Sequence, residues 1–315
     1  MGTLSTGSKS MDEVMAGGLK TQVTSLLFGI PNLGKTWLCY QMACMCTRPI
    51  KAGGLGKKVI YIDTEGFFFT EDAVKRFAEY FKKRWPDCDP SKIEFEQIPD
   101  IFDLGKLFGM QIDIKQEESR VSVIVKYPTD RQTSLAKGKG KGKVDTTTNK
   151  DKDWLDKAPI YQRVKNKEYG LIVIDSLTIP IKSEIAAATQ NFPARTSVVA
   201  GILGACYPIA RRADLAILIT DHITSNPMSP GYVYGTGDPW GGRNIIYYIK
   251  HIFGLYKPLK DQVQANAPDG HRVRRFSRYR YPGLDPIVSA VKLEKDKGYM
   301  DLPQGGTAQS ATGDE

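Results

Sequence analysis

Cysteine is scarce and unpatterned in this chain, with five residues in 315 and no C-x-x-C pair among them. An odd count without framework spacing argues against a disulfide scaffold and for a reducing, intracellular setting. Cys39, Cys44 and Cys46 fall instead in one helical stretch, where a free thiol packs as a small apolar group. Long apolar runs are also missing, and no signal peptide opens the chain. The expectation is therefore a cytoplasmic protein with no membrane role. Acidic charge is the minority sign, 35 Asp and Glu against 44 Lys and Arg, for a net charge of +9. That balance suits a polyanionic partner without naming one. The 41% hydrophobic and 25% charged residues are enough for one large α/β domain or two smaller ones.

What is present is a phosphate-binding signature. Gly29-Ile30-Pro31-Asn32-Leu33-Gly34-Lys35-Thr36 reads G-x-x-x-x-G-K-T. Its glycines are expected to take turn angles that a Cβ forbids, so that successive N–H groups wrap an anion. Lys35 offers a cation to the β- and γ-phosphates of ATP, and Thr36 offers a hydroxyl to Mg²⁺. An apolar run over 23–28 precedes the loop and a helical segment over 36–46 follows it, so the helix N-terminus faces the phosphates. A second apolar run at 59–62 ends in Asp63-Thr64-Glu65, and a third at 171–174 ends in Asp175-Ser176. Carboxylates at strand ends belong where open α/β sheets keep their ligands, with Asp175 in the Mg²⁺-organising position.

The remaining stretches extend the same alternation. Ser10-Met11-Asp12-Glu13 has capping-box spacing for a short helix that Gly17-Gly18 ends. Helices are expected over 70–85, 101–118 and 195–212, with strands over 93–98 and 215–220. The result is an α/β fold, a P-loop ATPase core with a mostly parallel sheet between helices and an antiparallel C-terminal extension. Composition places a Lys/Gly-rich, mobile insertion at about 119–168 and a disordered tail over 302–315, with the core spanning 1–301. The insertion reads either as an electrostatic arm or as a solvated linker. Residues 224–243 form a long Gly/Pro-rich loop that leaves a strand end near the nucleotide and closes at Arg243. Over 272–281, Arg272, Arg274, Arg278 and Arg280 share a parity, which predicts a strand with one cationic face. Such a face can grip a nucleic-acid backbone, or can equally be an exposed or partner-facing strand.

Taken together, the opening segment 5–12, the loop at 29–36, Asp63-Thr64-Glu65 and Asp175-Ser176 resemble the archaeal RadA recombinases and their RadB-type paralogues. These are RecA-like strand-exchange ATPases. The resemblance covers most of the chain outside 119–168 and the tail. It implies ATP held between neighbouring subunits, Glu65 polarising the attacking water, and DNA on mobile loops matching about 184–194 and 222–243. The segment around 282–286 would cap a neighbour's ATP. Where the family carries a γ-phosphate-sensing Gln, this chain has Asp221-His222, which makes His222 the sensor candidate. The family's N-terminal DNA-binding domain and its Phe-bearing linker have no counterpart in these residues. The expectation is an accessory paralogue acting on single-stranded DNA or on a RadA-type filament, with homo-oligomerisation through the ATP interface as a further possibility. Two rivals stay open: a nucleotide-gated adaptor that binds no DNA, and a RecA-like motor or clock-type ATPase outside recombination.

Overall fold

Strands buried on both faces need helices above and below them, and that demand shapes the chain. The computed structural model describes residues 1–67, 70–117, 120–126, 153–185, 192–224, 237–240, 245, 247–266, 269–302 and 309–310. The first strands are β1 (Thr3–Leu4), β2 (Leu19–Lys20), β3 (Thr24–Gly29), β4 (Lys58–Asp63) and β5 (Ile93–Gln97). Then come β6 (Gln111–Glu117), β7 (Arg120–Lys126), β8 (Tyr169–Asp175), β9 (Ala216–Asp221), β10 (Ile223–Thr224) and β11 (Asp238–Pro239). The last are β12 (His251–Tyr256), β13 (Val273–Arg280), β14 (Ile287–Glu294), β15 (Gly298–Asp301) and β16 (Gln309–Ser310).

The large sheet runs β15-β14-β13-β12-β3-β9-β8-β4-β5, with β16 also on β14. From β12 to β5 the pairings are parallel, and from β12 through β13, β14 and β15 they are antiparallel. The expected α/β, RecA-like architecture, a mostly parallel sheet between helices, is thus present, including the antiparallel C-terminal strands. Successive residues of each parallel strand point to opposite faces. Leu26, Phe28, Ile60, Ile62, Ile172, Ile174, Ile217 and Ile219 join one core layer, under α4 (Ile101–Leu107) and the long helix Phe192–Ala213. Leu27, Val59, Tyr61, Leu171, Val173 and Leu218 join the other, with α1 (Lys9–Val14), α2 (Lys35–Thr47) and α3 (Glu71–Arg84).

Several expectations change. The helix expected over 101–118 stops at Leu107, because Gly109 takes φ +76 and the following residues pair as a β6–β7 hairpin. Ser8, not Ser10, caps α1, accepting from the Met11 N–H. Part of the expected insertion is core: residues 153–164 form helices α5 (Asp153–Lys157) and α6 (Pro159–Val164), with Leu155, Ile160 and Val164 buried. Those three apolar residues were outweighed in the composition by their charged neighbours. The Lys/Gly run at 137–143 lies outside the described residues, as does most of the tail.

Candidate nucleotide-binding site

Parallel pairing sets the tips of four strands side by side. Asp63 is in register with Asp175, and Phe28 with Asp221. The loop after β3 therefore rises beside acidic strand ends, at the carboxyl edge of the sheet. Its two glycines have different jobs. Gly29 ends the strand with no positive φ; a Cβ there would sit 2.6 Å from the Leu255 carbonyl oxygen of β12. This corrects the expectation of a turn glycine at 29. The left-handed positions are Asn32 at φ +64 and Gly34 at φ +98, the N-cap of α2. Asn32 tolerates that region better than most residues, a signal present in the sequence but unused.

Lys35 is 7% exposed and its ammonium donates to the carbonyl oxygens of Gly29 (3.0 Å) and Ile30 (3.1 Å). Ile30, Pro31, Asn32 and Leu33 thus arch over a lysine that points back beneath them. Burial lowers the Lys35 pKa, and the charges of Asp175, Glu65 and Asp221 partly restore it. Lys35 is therefore within electrostatic reach of both carboxylates singled out by sequence.

Asp175 is fully enclosed. One oxygen accepts from Thr220 Oγ1 (2.6 Å) and the other from Tyr61 Oη (2.8 Å), and the Thr36 hydroxyl also bonds it. Burial raises its pKa while those hydroxyls oppose the shift. Asp175 and Thr36 place two hard oxygen donors together at the start of α2. That donor chemistry fits Mg²⁺, which takes one or two protein oxygens and completes its shell with water and phosphate.

Glu65 is delivered by a tight turn, in which Asp63 Oδ1 accepts from the N–H groups of Glu65 (3.0 Å) and Gly66 (2.9 Å). Thr64 and Ser176 zip the two strand tips together through a 2.6 Å and a 2.7 Å bond. Glu65 Oε1 accepts from Ser176 Oγ at 2.6 Å and lies 3.3 Å from His222 Nε2. Its pKa is lowered, chiefly by the His222 contact and then by Ser176 and Lys35, against desolvation. The His222 main chain is fixed in turn, because its carbonyl accepts from the Trp240 N–H at 2.8 Å. Strands β10 and β11 pair beside it, while most of the long loop expected over 224–243 lies outside the described residues. Thr178 hydroxyl donates to Asp221, which also accepts from the His222 N–H.

The arginines of β13 do not form one open cationic face. Phe276 shares their parity and is wholly buried. Arg278 is 7% exposed and donates to the carbonyls of Val14 (2.8 Å), Glu13 (2.8 Å) and Asp285 (3.0 Å). Arg274 Nε donates to the Leu33 carbonyl at 3.1 Å, and Arg272 pairs with Glu294 at 2.9 Å. Arg280 ends the strand, half-buried and in contact with neighbours. Sequence parity predicted the strand correctly but missed that β13 is an interior strand, with β12 on one side and β14 on the other. Arg243 lies outside the described residues. Tyr61, Thr220, Ser176 and Tyr299 were not singled out by sequence; only Ser176, directly after Asp175, carried a visible cue.

A family model described as Rad51 matches residues 1–88, which hold the loop, Lys35, Thr36 and Glu65. The chain is also similar to the "DNA repair and recombination protein RadA" of Metallosphaera sedula, with 23% identity over 249 residues. That match covers 79% of this chain and spans 60% of the relative's length. No helix among the described residues is long and apolar enough to cross a membrane.

Proposed function

We propose that the chain is a RadA/RecA-type recombinase relative, a Mg²⁺-dependent ATPase that serves homologous recombination and repair as an accessory paralogue, a reading supported by its similarity to the Rad51 model over residues 1–88 and to RadA. The observation that carries this is the burial of Lys35 between the loop carbonyls and the charges of Glu65 and Asp175. A triphosphate entering the loop takes the Lys35 ammonium from the carbonyls of Gly29 and Ile30, and gains the N–H groups at the start of α2. Thr36 and Asp175 are the residues that would hold Mg²⁺, which when bound neutralises charge on the β- and γ-phosphates. Glu65, kept ionised by His222 and Ser176, accepts a proton from the attacking water. His222 also joins Glu65 to the paired strands β10 and β11, a direct path by which a ligand held near those strands acts on the base. The partners that fit are single-stranded DNA, a RadA-type filament, and a second copy of this chain across the ATP.

The test is ATP turnover with and without single-stranded DNA, alongside the mass of the complex in solution. Lys35→Ala is expected to abolish nucleotide binding. Glu65→Gln is expected to keep binding and lower turnover about 100-fold or more. Parental turnover by Glu65→Gln would remove Glu65 from the role of base.

The nucleotide-gated adaptor keeps one observation in its favour: Arg274 and Arg278 are engaged with main-chain carbonyls. ATP binding with no salt-sensitive DNA affinity, together with capture of a recombinase filament, would select it.

A further inference from the structure

The phosphate loop is held from outside by two side chains that its motif does not contain. The Leu33 carbonyl oxygen accepts from Tyr299 Oη at 2.7 Å and from Arg274 Nε at 3.1 Å. Both donors come from the antiparallel extension, Arg274 from β13 and Tyr299 from β15. Neither is loosely placed. Tyr299 is fully buried, its N–H donates to Gln41 Oε1 at 2.7 Å, and its carbonyl accepts from Gln41 Nε2 at 3.3 Å, so α2 itself anchors it. Arg274 Nη1 donates to the carbonyls of His271 (2.7 Å) and Val273 (2.8 Å), which sets the guanidinium's direction. Burial raises the Tyr299 pKa, so its hydroxyl stays a donor at every physiological pH.

A second observation meets the first at the same place. A Cβ on Gly34 would lie 2.7 Å from Tyr299 Oη and 2.7 Å from Leu293 Cδ2. Gly34 is thus required by the brace as well as by its φ of +98. A trans peptide is planar, so its N–H points opposite to its carbonyl. Pinning the Leu33 carbonyl against β13 and β15 turns the Gly34 N–H away from those strands, and Lys35 follows directly.

We propose that Tyr299 and Arg274 are positioning residues that preorganise the Leu33–Gly34 peptide for phosphate binding. This rests on the nucleotide-binding function proposed above and deepens it, since it makes the C-terminal extension part of the phosphate site. Arg274 then acts through the loop and not as a DNA ligand. Preorganised N–H groups spare a ligand the cost of ordering them, so their loss shows as affinity and not as chemistry.

The experiment titrates Mg·ATP and Mg·ADP against the full chain and its Tyr299→Phe, Arg274→Gln and double variants, with turnover measured in parallel. Each single variant is expected to weaken ATP and ADP by a similar factor, about 5- to 10-fold, the worth of one hydrogen bond. KM should rise with kcat within about twofold. The double variant should lose less than the product of the singles, because both donors serve one carbonyl. Unchanged ATP and ADP affinity in folded Tyr299→Phe overturns the proposal. Should Tyr299→Phe fail to fold, Arg274→Gln decides alone, since its guanidinium is only half-buried. Weaker nucleotide-free DNA binding by Arg274→Gln, with ATP affinity intact, also overturns it. If the parental chain binds no nucleotide, the ATPase function itself fails, and that outcome is separate from equal binding by parent and variants.

Discussion

At the residue scale His222 stands where the resemblance implied a glutamine, and the structure says what its side chain touches. His222 Nε2 lies 3.3 Å from Glu65 Oε1, so the proposed sensor candidate also lowers the pKa of the proposed base. A lowered Glu65 pKa means that the base stays ionised further into acid. Removing the contact lets the pKa rise. The acid limb of the kcat-against-pH curve is therefore expected to move to higher pH in His222→Ala, with a smaller move in His222→Gln, which keeps a donor. An acid limb that stays in place in both variants would disconnect His222 from Glu65. Asp175 is held differently, by hydroxyls alone, so its carboxylate keeps one orientation without being locked in an ion pair.

At the element scale, α1 shows how a short helix survives. It has six residues, too few to be stable alone. Its first turn is capped by a carboxylate from the far end of the chain: Asp301 accepts from Ser8 Oγ (2.6 Å) and from the N–H groups of Lys9 (3.0 Å) and Ser10 (2.9 Å). Its last turn is closed by Arg278, whose guanidinium takes the carbonyls of Glu13 and Val14. Cation at the C-terminus and anion at the N-terminus both complement the helix dipole. Arg278→Ala is expected to cost about 2–3 kcal/mol of stability, seen in chemical denaturation, because a charged donor to three carbonyls is lost. DNA affinity measured on the folded fraction should stay at the parental value. A specific loss of DNA binding at parental stability would restore Arg278 as a DNA contact.

At the scale of the whole molecule, the antiparallel extension ties the two ends of the chain to the loop. Arg84 of α3 adds to this, donating to the carbonyls of Lys297, Tyr299 and Gly7. Beside the extension, β12 carries a buried histidine. His251 opens β12, is 8% exposed and stacks on Tyr281 at 4.1 Å between centroids. Burial, and then the charge of Lys20, lower its pKa from 6.5 to about 4. Above pH 6.5 the imidazole is neutral folded or unfolded, and its full contribution is present. As pH falls from 6.5 towards 4 the unfolded chain takes the proton first, and stability drops by up to about 3 kcal/mol. His251→Phe, which keeps the ring stack, should flatten that slope in denaturation curves taken across the window. An unchanged slope would assign the acid loss to other groups.

The acid-tipped strands, the loop with Lys35 and Thr36, and the sheet they imply were all legible in the sequence, because each depends on local pattern. An apolar run ending in Asp reads as a buried strand from its own residues, and G-x-x-x-x-G-K-T is recognisable as a phosphate-loop pattern from its spacing alone. What the chain does with Arg274, Arg278, Tyr299 and Asp301 was not legible. Their partners lie 241, 264, 266 and 293 residues away, and parity along one strand cannot say that the strand is interior. Sequence by itself therefore determined where the phosphate-loop pattern and its acidic strand tips lie. Only the tertiary structure decided that the Arg274 guanidinium serves a loop carbonyl, since packing brings β13 against the loop and sets its Nε within 3.1 Å of the Leu33 oxygen.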